Sequence, residues 1–146
     1  MKAVEFPGDR IDSTWTDSHV MANVTAISDG PLAEAAHRID EGHYPLEILG
    51  SLGTAGAFGA HLERGGRRVG LALDAMRAVS RRCGSTGFLT WAHDVCGLYM
   101  EQSGNPALTG ELLDDHTMGR TFGGTALSNP MKAIAGIEKI LLRAVK

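Results

Sequence analysis

The sequence predicts a mainly α-helical protein, a bundle of about six helices followed by one or two β-strands. Three observations carry this. Apolar residues recur at helical spacing through residues 13–118, capping residues and prolines interrupt that spacing repeatedly, and a short glycine-interrupted run follows Gly119. We therefore divide the chain into an extended lead-in (1–12), a helical domain (13–118) and a C-terminal segment (119–146) in which one or two strands are expected.

The composition places the chain among ordinary globular proteins. It has 146 residues, of which 43% are hydrophobic and 21% charged, so one domain with a sizeable core is expected. The net charge of −3 gives no reason to expect nucleic-acid binding. No stretch reaches the roughly 18 apolar residues of a spanning helix, and the N-terminus lacks the apolar core of a signal peptide. We expect a cytoplasmic protein that does not bind membranes.

The first half of the helical domain contains several helix starts and stops. Ser13 is a candidate N-cap, and helical spacing continues from Trp15 to Ile27 before Asp29-Gly30-Pro31 ends it. A second helix is predicted from about Leu32 to Ile39, and a third opens at Pro45. The glycine-rich residues 53–66 then predict a loop in which backbone packs closely.

The second half contains the strongest helical patterns. Val69, Leu73, Met76, Val79 and Cys83 form an apolar stripe with a period of 3.6 residues. Two arginines near its end suit the negative end of the helix dipole.

Ser85 or Thr86 is the predicted cap of the next helix, which is apolar nearly all round between Phe88 and Tyr99. So much apolar surface predicts an exposed interface on a small isolated bundle. Asn105-Pro106 opens a short helix that runs towards Asp115.

The residues after Gly119 change character. Thr121 to Leu127 form a short run that ends at Asn129-Pro130, as strands often do. The last seven residues, 140–146, suit either a helix end or a strand, and we favour a strand.

Few residues offer chemistry of their own. Cys83 and Cys96 lack metal or redox spacing and are predicted to be reduced core thiols. The six histidines show no paired spacing, so no metal site is expected. His93 is predicted to be a hydrogen-bonded core residue, because it lies in an apolar helix. Asp114-Asp115-His116 is predicted to be a solvated helix end.

The order of these elements resembles the N-terminal part of FAD-dependent acyl-CoA dehydrogenases. LEILGSLG is followed by the glycine-rich connector, the arginine-bearing helix, the apolar helix, GNPALTGELL and finally TFGGTALSNP. The resemblance covers roughly residues 15–146. It implies that residues 13–118 form an N-terminal helical domain and that residues 119–146 are the start of a flavin-binding middle β-domain, here truncated.

The resemblance also implies site residues. Thr125, Leu127 and Ser128 would line the flavin, with backbone groups and the Ser128 hydroxyl facing the pyrimidine edge of the ring. Donors there would stabilise the negative charge that hydride transfer creates. Leu89, Ala92 and Cys96 are candidate wall residues of an acyl pocket, although plain bundle packing explains them equally well.

The chain departs from the family pattern at Ile134, where the family usually has a serine that contacts cofactor phosphate or acyl-CoA. Lys132 could supply a charge instead. The family's catalytic base lies in a C-terminal helical domain, and no residue here corresponds to it. The resemblance therefore implies no catalytic residue in this chain and no activity for the chain alone.

The function implied is α,β-dehydrogenation of an acyl-CoA thioester, in fatty acid metabolism, by a complete oxidoreductase. Its remaining β and C-terminal helical domains would lie on the same or another chain, in a homo- or hetero-oligomer. Two alternatives stay open. One is a flavin-dependent monooxygenase of the same architecture, which Asn129 and Ile134 would suit, and the other is a non-enzymatic helical interaction domain.

Overall fold

The computed structural model describes residues 16–143, and these are mainly helical, as predicted. The predicted lead-in (1–12), Ser13 as the predicted N-cap of the first helix, and the last three residues lie outside this range. The helices are α1 (Asp17–Ile27), α2 (Ala33–Asp40), α3 (Leu46–Thr54), α4 (Val69–Ser80), α5 (Gly84–Gln102), α6 (Pro106–Thr109), α7 (Glu111–Thr117) and α8 (Ser128–Ile134). Within the described range no helix has both the length and the apolar character needed to cross a membrane.

Helix α1 begins where the Thr16 hydroxyl accepts a hydrogen bond from the backbone N–H of His19 at 3.4 Å. Its buried side chains, Val20, Val24 and Ile27, follow the helical repeat. The predicted stop at 29–31 is wrong, because a π-helical turn, Ser28–Leu32, joins α1 to α2. Such a wide turn can include a proline, whose missing N–H removes one helical hydrogen bond.

The glycine-rich connector between α3 and α4 is part of the core. Phe58 is fully buried there, and several of its neighbours are buried with it. A Cβ on Gly65 would lie 2.2 Å from the Gly59 carbonyl oxygen, and Gly59 itself has a φ of +80°, which favours glycine. The prediction of a loop with closely packed backbone is confirmed, and its burial lets the connector contact α5.

Helix α4 is confirmed, but its buried face was predicted only in part. The buried residues are Leu71, Ala72, Ala75 and Val79, whereas Val69 and Leu73 are more than half exposed. The reason is that α4 packs against both α1 and α5. The small Ala72 and Ala75 side chains allow that close approach, which the largest apolar residues would prevent.

Helix α5 is the longest helix of the described chain. Its N-cap is Cys83, whose sulfur accepts from the Thr86 N–H at 3.4 Å, so the predicted Ser85 or Thr86 cap is wrong. Cys83 and Cys96 are both free thiols, as predicted. The side chains of α5 divide between the core and the surface, and this division defines the candidate site below.

The described residues after Gly119 contain no β-strand, so the strand predicted over 121–130 is absent from this part of the chain. A strand needs a pairing partner, and these residues find none within the described range. Asn129 and Pro130 instead lie in the first turn of α8, where a proline is tolerated. Residues 140–143 are neither helix nor strand.

Asn129 organises the residues that follow α8. Its side-chain amide donates to the Glu138 carboxylate at 2.9 Å and to the Lys139 carbonyl at 3.0 Å. Its amide oxygen accepts from the Leu141 N–H at 2.9 Å. One side chain thus holds residues 138–141 against the start of α8.

Candidate functional site

The segment 121–128 lies along α5. The Gly123 N–H points to His93 Nδ1 at 3.5 Å, and the Tyr99 hydroxyl lies 3.4 Å from Thr125 Oγ1. A Cβ on Gly123 would lie 2.4 Å from the Cys96 sulfur, so the backbone touches that side chain. The segment therefore follows about two turns of α5, from His93 to Tyr99.

The structure brings the predicted flavin-contact residues into one exposed turn. The Thr125 hydroxyl accepts from the Leu127 N–H at 3.1 Å, which closes the turn locally. Leu127 is 39% exposed, and Ser128, at the start of α8, is also exposed. Their role at a flavin stays a prediction.

The predicted pocket-wall residues share one side of α5 but have different neighbours. Leu89 packs against the main core and Ala92 is buried, whereas Cys96 packs in a smaller cluster with Leu62, Met100 and Leu113. Cys96 touches the 121–128 segment at Gly123, and burial raises the pKa of its thiol. Each residue has a packing role, and lining an acyl pocket stays a prediction.

Two stacked histidines join α5 to α7 beneath the segment. The ring centroids of His93 and His116 are 3.6 Å apart, and each Nε2 lies 2.9 Å from the backbone carbonyl oxygen of the other residue. A carbonyl can only accept, so both Nε2 atoms carry the proton. In the neutral rings Nδ1 is then an acceptor, and in His93 that acceptor faces Gly123.

Burial keeps this pair neutral. It lowers the pKa of His93 to about 4, with the charge of His116 adding to the effect, and it also lowers the pKa of His116. The Phe58 ring lies 4.3 Å from the His93 ring, centroid to centroid, and closes the site on another side. The prediction that His93 is a hydrogen-bonded core residue is confirmed.

The prediction of a solvated end at 114–116 is wrong for His116, which is buried, and right for Asp114, which is exposed and pairs with Arg64. Asp115 pairs with Arg120. The sequence did contain a signal: His116 follows the buried Leu113 by three residues, which places both on one face of a short helix.

A second buried polar pair lies next to the histidines. His61, in the connector, has its Nε2 2.9 Å from the Asp94 carbonyl oxygen and its Nδ1 3.8 Å from Asp94 Oδ1. Neither Nδ1 nor the two carboxylate oxygens has a hydrogen-bond partner among the described residues. Burial raises the pKa of Asp94 to about 7 and lowers the pKa of His61.

The outer side of α5 carries an apolar stripe. Phe88, Trp91 and Tyr99 are 64%, 37% and 44% exposed, which confirms the predicted exposed apolar face. Residues 127–142 also carry large exposed apolar side chains. These are Leu127, Met131, Ile134, Ile137, Ile140, Leu141 and Leu142. We call the stripe and these residues together the apolar surface.

A groove of about 460 Å³ lies on the surface where α1 and α4 meet. It is lined by Met21, Thr25, Asp29, Asp74, Arg77, Ala78, Arg81 and Arg82. Arg82 pairs with Asp29 at 2.8 Å, which ties the end of α4 to the π-helical turn. Among the residues described, no group of three or more His, Cys, Asp or Glu side chains is arranged to hold a metal ion.

No known protein family matches the chain, and comparisons with curated proteins and with solved structures give no match. Its function is therefore inferred from its residues and their geometry.

Proposed function

We propose that the chain is the N-terminal helical part of an FAD-dependent, acyl-CoA dehydrogenase-like oxidoreductase of the cytoplasm. The remaining β and C-terminal helical domains lie on the same or another chain of a homo- or hetero-oligomer, and the C-terminal domain supplies the catalytic base. The observation that supports this most is the apolar surface, together with the turn at 125–128 that joins its two parts.

The apolar surface has the character of a docking face. Exposed apolar patches of this kind mark interfaces, whereas scattered single residues do not. The stripe on α5 is aromatic, and aromatic residues are enriched at interfaces. Residues 138–143 are neither helical nor paired with a strand in the described structure. Asn129 engages the Lys139 carbonyl and the Leu141 N–H, and the other backbone groups of this run can accept a neighbouring strand. A β-domain is the partner that both features suit.

Two residues of the turn at 125–128 suit the edge of a flavin. Leu127 offers an exposed apolar side chain and Ser128 an exposed hydroxyl, which suit the ring and its polar edge respectively. The Thr125 hydroxyl already accepts from the Leu127 N–H, so Thr125 shapes the turn. When bound, the flavin would accept a hydride from the acyl β carbon. A hydrogen bond from Ser128 would then stabilise negative charge at its pyrimidine edge.

The test is to purify the assembly from its natural source through a tag on this chain, and to record its flavin absorbance with an acyl-CoA thioester added anaerobically. We expect a yellow assembly that the thioester bleaches. Ser128→Ala should slow bleaching by about tenfold or more, because a donor at the site of developing charge is lost. Ser18→Ala, which removes an exposed hydroxyl from α1, is the matched control.

Other outcomes separate the alternatives. A yellow assembly that the thioester does not bleach, but that consumes oxygen and forms a hydroxylated product, would support the monooxygenase. An assembly that stays colourless with added FAD would overturn the oxidoreductase proposal and leave the helical interaction domain.

The apolar surface gives a separate prediction for the isolated 146-residue chain. We expect it to self-associate as its concentration rises, and Trp91→Lys to reduce that self-association because a charge then interrupts the aromatic stripe. Leu73→Lys is the matched control, since Leu73 is 58% exposed on α4, outside the apolar surface. Sedimentation velocity measures both. Equal effects of the two substitutions, or a wild-type monomer at every concentration, would contradict the assignment of the docking face to α5.

A further inference from the structure

We propose that His93 is a positioning residue, which holds the 121–128 segment on α5 through its Nδ1 atom. The contact itself is independent of any flavin. Its importance for flavin binding rests on the proposed function, because the turn at 125–128 is the exposed continuation of the segment that His93 holds.

The hydrogen-bond chemistry gives His93 two separate tasks. Its Nε2–H donates to the His116 carbonyl at 2.9 Å and so joins α5 to α7. That bond fixes the tautomer and leaves Nδ1 as an acceptor, which faces the Gly123 N–H at 3.5 Å. The reciprocal bond from His116 Nε2–H to the His93 backbone carbonyl holds the His116 ring, which stacks on the His93 ring. One imidazole therefore connects two helices and a loop segment.

Close packing makes the position of Gly123 specific. A Cβ on Gly123 would meet the Cys96 sulfur at 2.4 Å and His116 Cε1 at 3.2 Å, so only a glycine lets the backbone reach His93. The Phe122 ring lies 5.5 Å from the His93 ring, centroid to centroid, and covers it from the segment's side. By contrast, a Cβ on Gly124 would meet nothing within 4 Å.

The same chemistry makes the contact sensitive to protonation. A proton on Nδ1 would turn the acceptor into a donor that opposes the Gly123 N–H. The titratable groups that act on His93 are His116 on α7 and His61 in the connector, and the Cys96 thiol on α5 touches the Gly123 backbone beside it. Burial and the neighbouring histidines disfavour a charge on this ring, and so they preserve the acceptor at neutral pH.

Two amide substitutions separate the two tasks. In His93→Gln the amide can take the place of Nε2 and keep the bond to α7, whereas in His93→Asn it can take the place of Nδ1 and accept from Gly123. Amide hydrogen exchange of the 146-residue chain measures the protection of α7 and of Gly123 separately. We expect His93→Gln to speed exchange at Gly123 several-fold, as the loss of one hydrogen bond implies, and His93→Asn to restore wild-type exchange there. Exchange at Gly123 that is equal in wild type and His93→Gln, or equally fast in both variants, would overturn the proposal.

A second pair of variants does not alter the histidine. Gly123→Ala should speed exchange throughout 121–127 because its methyl group displaces the backbone from Cys96, while Gly124→Ala should leave it unchanged. Equal exchange in the two variants would overturn the positioning role. In the flavin-loaded assembly, Gly123→Ala should also weaken FAD retention. If the segment loosens but FAD retention is unchanged, the positioning role stands and the flavin contact at 125–128 is wrong.

Discussion

Asp94→Asn is expected to gain about 4 kcal/mol in unfolding free energy relative to the wild type as the pH rises from about 4 to about 8. Burial raises the pKa of Asp94 in the folded chain from 3.8 to about 7. As the pH rises, the unfolded carboxyl ionises first while the folded one keeps its proton. The wild-type contribution is therefore fully present below 3.8 and is lost as the pH rises through about 7. Asparagine does not ionise, so the variant keeps that contribution.

Urea unfolding at a series of pH values measures the difference between variant and wild type. Buried histidines act in the opposite direction. Burial lowers the pKa of His93 from 6.5 to about 4, so its contribution to the stability of the fold is lost as the pH falls from 6.5 to about 4. That loss is common to both proteins and cancels in the difference. Asp115→Asn is the control, because a surface ion pair with Arg120 contributes about 1 kcal/mol or less. If the difference in unfolding free energy between Asp94→Asn and the wild type does not change with pH, the Asp94 carboxylate is not buried without a hydrogen-bond partner.

Gly53→Ala is expected to destabilise the fold by about 3 kcal/mol. A Cβ on Gly53 would lie 2.5 Å from the Gly119 nitrogen and from the Met118 carbonyl carbon, and backbone cannot rotate out of the way as a side chain could. Met118 and Gly119, which follow the C-terminal end of α7, would have to move away from α3. Since the segment 121–128 continues from this point, the substitution should also displace the candidate site.

The matched control lies one turn earlier on the same helix. A Cβ on Gly50 would meet the Gly119 carbonyl oxygen at 3.6 Å, an ordinary contact, so Gly50→Ala should stabilise α3 by about 0.5–1 kcal/mol through backbone entropy. Chemical denaturation of both variants is sufficient. The same sign for both substitutions would show that the approach of Gly119 to α3 is not tight.

The sequence predicted the helices where local signals were strong. Helices α4 and α5 show long apolar repeats, so their existence was clear, but the buried face of α4 depends on which helices pack against it. The strand predicted over 121–130 reflects residue composition. Composition cannot show whether a pairing partner is within reach, and in the described chain none is.

The residues of the candidate site were likewise predictable only where the signal was local. Thr125, Leu127 and Ser128 lie together because they are near neighbours in sequence. The contact of His93 with His116 spans 23 residues, and that of His61 with Asp94 spans 33, so spacing rules could not find either one. The proposed oxidoreductase function depends on the order of the motifs and on the apolar surface, and the native assembly provides its test.

The hydrogen bonds of Asn129 have a further thermodynamic consequence. By engaging Glu138, Lys139 and Leu141 through one amide, this side chain restricts the backbone of 138–141 before any partner arrives. Association costs free energy for every flexible segment that it must order. Because much of this ordering is already complete in the free chain, a partner that docked on this segment would retain more of its binding free energy.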